Sequence, residues 1–173
     1  MSQEVRDFAL LAHRDQRYGR GELPFSAHLI DIVEALTYYG NIQSDLINAA
    51  WLHDILEDTN ITREQIRELA GPIVEALVWA VTDEPGINRK ERKHNTYPKI
   101  RASRDAITLK LADRIVNVRR SINTVTAKPH FLKEYIEEYP EFRKMLWIDG
   151  HQQDMWLHLD VLMARALILT SSV

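Results

Sequence analysis

The chain has 173 residues, 45% apolar and 27% charged, which suits one soluble globular domain able to bury a core of its own. A net charge of −3 argues against a general nucleic-acid binder. The absence of cysteine excludes disulfides and thiolate metal sites, so any metal must be held by His, Asp, Glu and water, and a reducing cytoplasm is the natural setting. Glu4, Arg6 and Asp7 stand where an apolar signal core would be needed. The apolar tail from Trp156 to Leu169 is too short to span a bilayer and is interrupted by Asp160 and Arg165. No membrane and no nucleic-acid partner is expected, and a homo-oligomer stays open.

Taken in order, the chain reads as helix after helix, with no convincing alternating strand. Val5, Phe8, Ala9, Leu11 and Ala12 recur at helical spacing within residues 4–16. Arg17 to Pro24 is a glycine-bearing loop. Ser26 is the expected N-cap of a helix that runs to Tyr39 and is closed by Gly40. Ser44 and Asp45 open the next helix. Thr62 and Gln65 have capping-box spacing, Gly71 is a stop, and Pro72 suits the first turn of a helix through Val81. Residues 83–88 are a turn, followed by a short basic segment ended by Tyr97-Pro98. Ser103 caps a long helix with an apolar stripe of Ile107, Leu111, Ile115, Val118 and Ile122. Lys110, Asp113, Arg114 and Asn117 form a polar face beside it. Pro140 starts or kinks a later helix, and Gly150 divides that helix from the last one. With no repeat and no long linker, the expectation is a single all-α domain over residues 1–173, without room for a synthetase or regulatory domain.

The stretch from Leu46 to Leu56 is almost continuously apolar and reads as one buried helix, yet His53 and Asp54 sit inside it. Burying an unpaired carboxylate costs several kcal/mol, so such a group neutralises, pairs or binds a metal. Glu57 returns one turn later, at i+4 from His53 and i+3 from Asp54. A buried ion pair, or a capping Asp with a hydrogen-bonded His, explains the dipeptide as well as a metal does. Asp113 poses the same question on the flank of its apolar stripe. His28 falls in the first turn of its helix. His13, His94, His130, His151 and His158, taken singly, read as structural or surface residues. Residues 89–120 hold eleven of the 22 basic side chains, opposed within the segment only by Glu91, Asp105 and Asp113. They form either a localised anion site or a solvated helix face.

The order His28, His53-Asp54, Asp113 resembles the H…HD…D signature of HD-family metal-dependent phosphohydrolases. Ala12-His13-x-x-Gln16-Arg17, Leu52-His53-Asp54-x-x-Glu57-Asp58-Thr59, Val81-Thr82-Asp83 and Lys110-Leu111-Ala112-Asp113-Arg114-x-x-Asn117 narrow the resemblance. They are similar to the hydrolase domain of Rel/Spo-type alarmone enzymes, above all the stand-alone small alarmone hydrolases, over roughly residues 5–145. The resemblance implies an HD-type helical bundle in which His28, His53, Asp54 and Asp113 hold one divalent cation, Mn²⁺. It implies that Glu57 and Asp58 are the catalytic acidic pair, and that water removes the 3′-diphosphate of a nucleotide such as ppGpp. Arg17, Tyr18, Arg89, Asn117 and Tyr139 then fall at substrate-facing positions: Arg89 at the phosphates, Asn117 at sugar and phosphate, Tyr139 on the far wall.

Two departures from the family pattern bear on this. His28-Leu29 replaces the usual His-Pro. Tyr18-Gly19, flanked by Arg17 and Arg20, replaces an adjacent Arg-Lys pair that packs on guanine. A tyrosine can stack on any purine but fixes fewer base-edge atoms, so altered guanine selectivity and adenine alarmones of the (p)ppApp type are expected. Two other readings stay open: an HD phosphatase acting on a deoxynucleotide or NADPH, and a non-catalytic helical module that binds an anion through residues 89–120.

Overall fold

The computed structural model describes residues 2–18, 23–124 and 129–171. Positions 19–22 of the expected Arg17–Pro24 loop, including Gly19 and Arg20, lie outside the described residues. Within them the chain is all-α, in the order α1 (Gln3–Ala12), α2 (Ser26–Tyr38), α3 (Ser44–Leu52), α4 (Ile55–Asp58), α5 (Arg63–Ala70), α6 (Pro72–Val81), α7 (Arg89–Arg101), α8 (Arg104–Asn123), α9 (Pro129–Leu146) and α10 (Gln153–Ser171). Several starts are fixed by side chains that satisfy otherwise orphaned N–H groups. Ser2, Asn88 and Ser103 accept from Val5, Glu91 and Ala106, and Thr62 with Gln65 completes a capping box.

Four expectations change in detail. Phe25, not Ser26, occupies the N-cap position of α2, and no side chain caps that helix. The first helix stops at Ala12, where the His13 N–H donates to the Ala9 carbonyl and the Arg14 N–H to that of Leu11. The basic segment does not end at Tyr97-Pro98: α7 runs on to Arg101 with Pro98 inside it. Interior proline costs a helix about 3 kcal/mol, whereas burying Tyr97 and Ile100 on either side is worth about 1.5–3 kcal/mol each. Packing prevails. In the same way α9 passes through Pro140 without ending.

The fourth change matters most. The apolar stretch expected as one helix is two, α3 and the single turn α4, with His53 and Asp54 between them and Asp54 at φ −99°, ψ −1°. On a continuous helix adjacent side chains diverge by about 100°. The interruption lets this pair turn toward the same neighbours.

Buried apolar residues form one cluster around α8, which packs against α2, α3, α6, α7, α9 and α10. Every residue from Ala106 to Val116 is buried. The polar face of this helix is therefore no solvated surface. Lys110, Asp113 and Arg114 are 7%, 7% and 3% exposed and point into the protein. Among the described residues, no helix is long and apolar enough to cross a membrane.

Candidate metal centre

Three separate pieces of chain meet at one point. α2 brings His28, the α3–α4 turn brings His53 and Asp54, and α8 brings Asp113. One ligand atom each of His28, His53 and Asp113 lies within 4.8 Å of the others. Asp54 Oδ2 is 2.9 Å from His53 Nε2 and 3.5 Å from His28 Nε2, and Asp113 Oδ1 is 3.6 Å from the same His28 nitrogen. All four expected ligands converge.

The chemistry of this group fits a cation. His53 Nδ1 lies 2.9 Å from the Ala50 carbonyl, which can only accept, so the ring proton sits there. That leaves the Nε2 lone pair facing the carboxylates. Nε2 is buried and makes no hydrogen bond. A buried unsatisfied nitrogen beside two buried carboxylates is costly unless a positive centre joins them. Two imidazoles and two aspartates form an all-N/O set suited to a metal of intermediate softness. Electrostatics point the same way. Burial works against a charged His53, yet Asp54 beside it more than offsets this and lifts its pKa to about 9, so the carboxylates draw a proton to Nε2, in the place a cation would take. Burial likewise works against ionised Asp113, but Lys110, His53 and His28 hold its carboxyl below the usual range.

The acidic pair lies alongside. Glu57 and Asp58 are the last two residues of α4, and each is tied to a distant segment. Glu57 Oε1 accepts the Asp83 N–H at 2.8 Å, which gives the Thr82-Asp83 motif a visible task. The Asp58 carbonyl accepts from Gln16 Nε2 at 2.8 Å, and Gln16 Oε1 in turn lies 2.7 Å from His13 Nδ1. Both acidic side chains reach solvent. Crowding by protein still raises the Glu57 pKa despite Lys110, and Asp54 and Asp83 add to the rise. Asp58 is raised by the same crowding and by Asp54.

The expected substrate positions divide. Tyr18 and Asn117 reach the centre: the Tyr18 hydroxyl donates to Asn117 Oδ1 at 2.5 Å, and Asn117 Nδ2 donates to Asp113 Oδ1. Tyr18 does not present an open ring, because one face stacks on His28 with centroids 4.5 Å apart and the Arg120 guanidinium lies 5.9 Å from its centroid. The Arg17 backbone pairs with Pro24 at the loop base. Arg89 is joined to Glu138, its Nε 2.5 Å from Oε1, and Arg114 shares that carboxylate at 2.8 Å. Tyr139 turns to Asp160 and Arg143. Tyr135, one turn earlier, lies beside both Arg114, at 4.9 Å, and Arg89, at 5.8 Å, and Phe142 of the same helix meets Arg114 at 4.7 Å.

Two lysines belong to the site without having been singled out for it. Lys110 Nζ is 3.0 Å from Asp113 Oδ2, and Lys93 Nζ is 2.8 Å from Asp83 Oδ1. Burial disfavours charge on Lys110, but Asp113, Glu57, Asp54 and Asp83 outweigh it and raise its pKa. The i,i+3 spacing of Lys110 and Asp113 was the available signal. The basic segment 89–120 is thus largely compensated in space, since Lys99 also pairs with Glu84 and Arg120 with Asp31.

Comparison with known proteins agrees with this geometry. The HD domain family matches residues 6–144. The guanosine-3′,5′-bis(diphosphate) 3′-pyrophosphohydrolase MESH1 of Danio rerio is 32% identical over 142 residues, 80% of this chain and 78% of that protein. Its Homo sapiens counterpart is 34% identical over 140 residues, 78% of each. A solved structure of a metazoan ortholog of SpoT that hydrolyses ppGpp superposes with a TM-score of 0.79 at 28% identity, covering 94% of this chain and 93% of that one. With its H…HD…D residues gathered at one centre, the chain belongs to the HD domain family, on the branch that holds the MESH1 proteins.

Proposed function

We propose that the protein is a metal-dependent pyrophosphohydrolase that removes the 3′-diphosphate from purine nucleotide alarmones, with one Mn²⁺ held by His28, His53, Asp54 and Asp113. The observation that carries this is the convergence of two imidazoles and two aspartates beside a Glu-Asp pair. The relatives' names, which give a 3′-pyrophosphohydrolase of guanosine bis(diphosphate), supply the substrate class. A divalent ion in such a cluster supplies Lewis-acid chemistry, making water nucleophilic near neutral pH and drawing charge from a phosphoryl oxygen.

The remaining work falls to side chains. Glu57, held through Oε1 by the Asp83 N–H, takes the proton of the attacking water on its carboxylate. The new bond joins the water oxygen to the phosphorus carried by the 3′-oxygen, and the bond from that phosphorus to the 3′-oxygen breaks. Asp58 assists transfer of a proton to the leaving 3′-oxygen. The products are pyrophosphate and a nucleotide with a free 3′-hydroxyl. Lys110 and Lys93 offset the charge gathered near Glu57, and Arg89 meets substrate phosphate by exchanging its Glu138 partner for it. Asn117 faces the sugar.

Guanosine alarmones are the default substrates. Their adenosine counterparts, (p)ppApp, are expected to turn over as well, because position 18 carries a phenol without the guanidinium or ammonium that would fix a guanine edge. Phosphorus NMR of the Mn²⁺-loaded protein with ppGpp, ppApp, NADPH and deoxynucleoside triphosphates tests the reading. Pyrophosphate from the first two supports it. Product from NADPH or deoxynucleotides alone replaces it, and a strong guanine preference removes the adenine half.

A further inference from the structure

The two histidines of the centre are held in different ways. His53 is anchored through its second nitrogen, by the Ala50 carbonyl. Such a bond on the far nitrogen is what ordinarily fixes the ring of a metal-ligating histidine. His28 has none, and its Nδ1 is buried without a hydrogen-bond partner. What fixes its ring is aromatic contact. Tyr18 stacks on it with centroids 4.5 Å apart and planes 12° apart, and Phe25 meets it edge-on at 5.4 Å and 71°.

Tyr18 also reaches the opposite side of the centre. Asp113 Oδ1 can only accept, so the Asn117 amide must turn its NH₂ toward it, as it does. That orientation leaves Asn117 Oδ1 pointing away, an acceptor in need of a donor. The Tyr18 hydroxyl supplies one at 2.5 Å. The polarity of the chain from Tyr18 through Asn117 to Asp113 is therefore forced at each link. A single ring presses on one ligand from α2 and, through one amide, orients another from α8.

We infer that Tyr18 is a positioning residue of the metal centre, fixing His28 by stacking and Asp113 through Asn117. This rests on reading His28, His53, Asp54 and Asp113 as the metal ligands. It gives the departure from the Arg-Lys pattern a physical content: the residue at position 18 serves the ion, and its one donor is spent on Asn117 instead of on a base.

Tyr18→Phe separates this role from that of a base platform, since phenylalanine stacks on a purine equally well but cannot donate to Asn117. The full-length protein is titrated calorimetrically with Mn²⁺ alone, as wild type, Tyr18→Phe, Asn117→Ala and the double variant. Melting in chelator verifies that each is folded. Outer partners of metal ligands are worth about 10- to 100-fold in affinity, so Tyr18→Phe should weaken Mn²⁺ binding by about tenfold or more. The double variant should bind no more weakly than Asn117→Ala alone, because the hydroxyl acts through that amide. For Tyr18→Phe at saturating Mn²⁺ the KM for nucleotide should stay near that of the wild type, because the hydroxyl it removes is spent on Asn117. Wild-type affinity in Tyr18→Phe, losses that multiply in the double variant, or a raised KM with unchanged Mn²⁺ affinity would each overturn the inference. A wild type that takes up no Mn²⁺ would instead overturn the metal-centre reading on which it rests.

Discussion

Lys110 offers a quantitative test of how the site balances its charge. Its ammonium is buried on the inner face of α8, 3.0 Å from Asp113 Oδ2, in the combined field of Asp113, Glu57, Asp54 and Asp83. Lys110→Met keeps most of the stem and removes the charge, leaving Asp113 ionised and short of a partner. Breaking a buried pair from one side costs about 3–5 kcal/mol. At about 2–4 °C per kcal/mol for a chain of this size, the metal-free protein should melt about 6–20 °C lower. A divalent cation restores positive charge among the same carboxylates, so the penalty should shrink by at least about 1 kcal/mol in saturating Mn²⁺. Thermal or urea melts of both proteins, in chelator and in Mn²⁺, give the four stabilities required. A loss below about 1 kcal/mol in chelator would refute the claim that Lys110 neutralises this cluster. An equal loss in both conditions would refute the claim that the ion and the ammonium answer the same charges.

Glu57→Gln should leave Mn²⁺ affinity nearly unchanged and lower kcat by about 10²- to 10⁴-fold, the usual worth of a positioned base. Normal turnover would remove Glu57 from that role. Away from the site, the Glu75 side chain is 2% exposed and bound by Arg63 at 2.5 Å and Arg67 at 2.8 Å. Burial raises its pKa, but the two guanidiniums prevail and depress it. A depressed carboxyl stabilises the fold above its unfolded pKa and loses that contribution as pH falls through the folded value. Glu75→Gln should therefore cost about 1.5–3 kcal/mol at pH 7. The cost should fade in acid, below the unfolded value of about 4.3, and urea melts across pH read this directly. A cost that does not change with pH would show packing, not charge, at work.

Much of this was legible in the sequence because charge inside an apolar run demands an explanation. His53-Asp54 and Asp113 stood out on that ground, and the structure brings both to His28. Caps were equally readable where they rest on local hydrogen bonds, as at Thr62 and Ser103. What could not be read was whatever depends on distant partners. The break between α3 and α4 has no glycine or proline to announce it, and it falls at the His53-Asp54 pair where α2 and α8 meet. The basic run gave no hint that Asp83, Glu84, Asp31 and Glu138 would meet it from other segments. Rotation about α9 likewise decides that Tyr135 lies beside Arg114 while Tyr139 turns to Asp160. Tyr18 shows the same limit: its residue type suggested stacking, but the ring it stacks on is His28.

On the proposed reading, four side chains from α2, the α3–α4 turn and α8 form one metal centre on which turnover depends. Mn²⁺ added stepwise to chelator-treated protein, with ion uptake and pyrophosphate release from ppGpp followed together, puts this to the test. Release should rise in proportion to occupancy and level off at one ion per chain, and His53→Ala should abolish both. Full activity in chelator, or activity that survives in His53→Ala without bound ion, would contradict it.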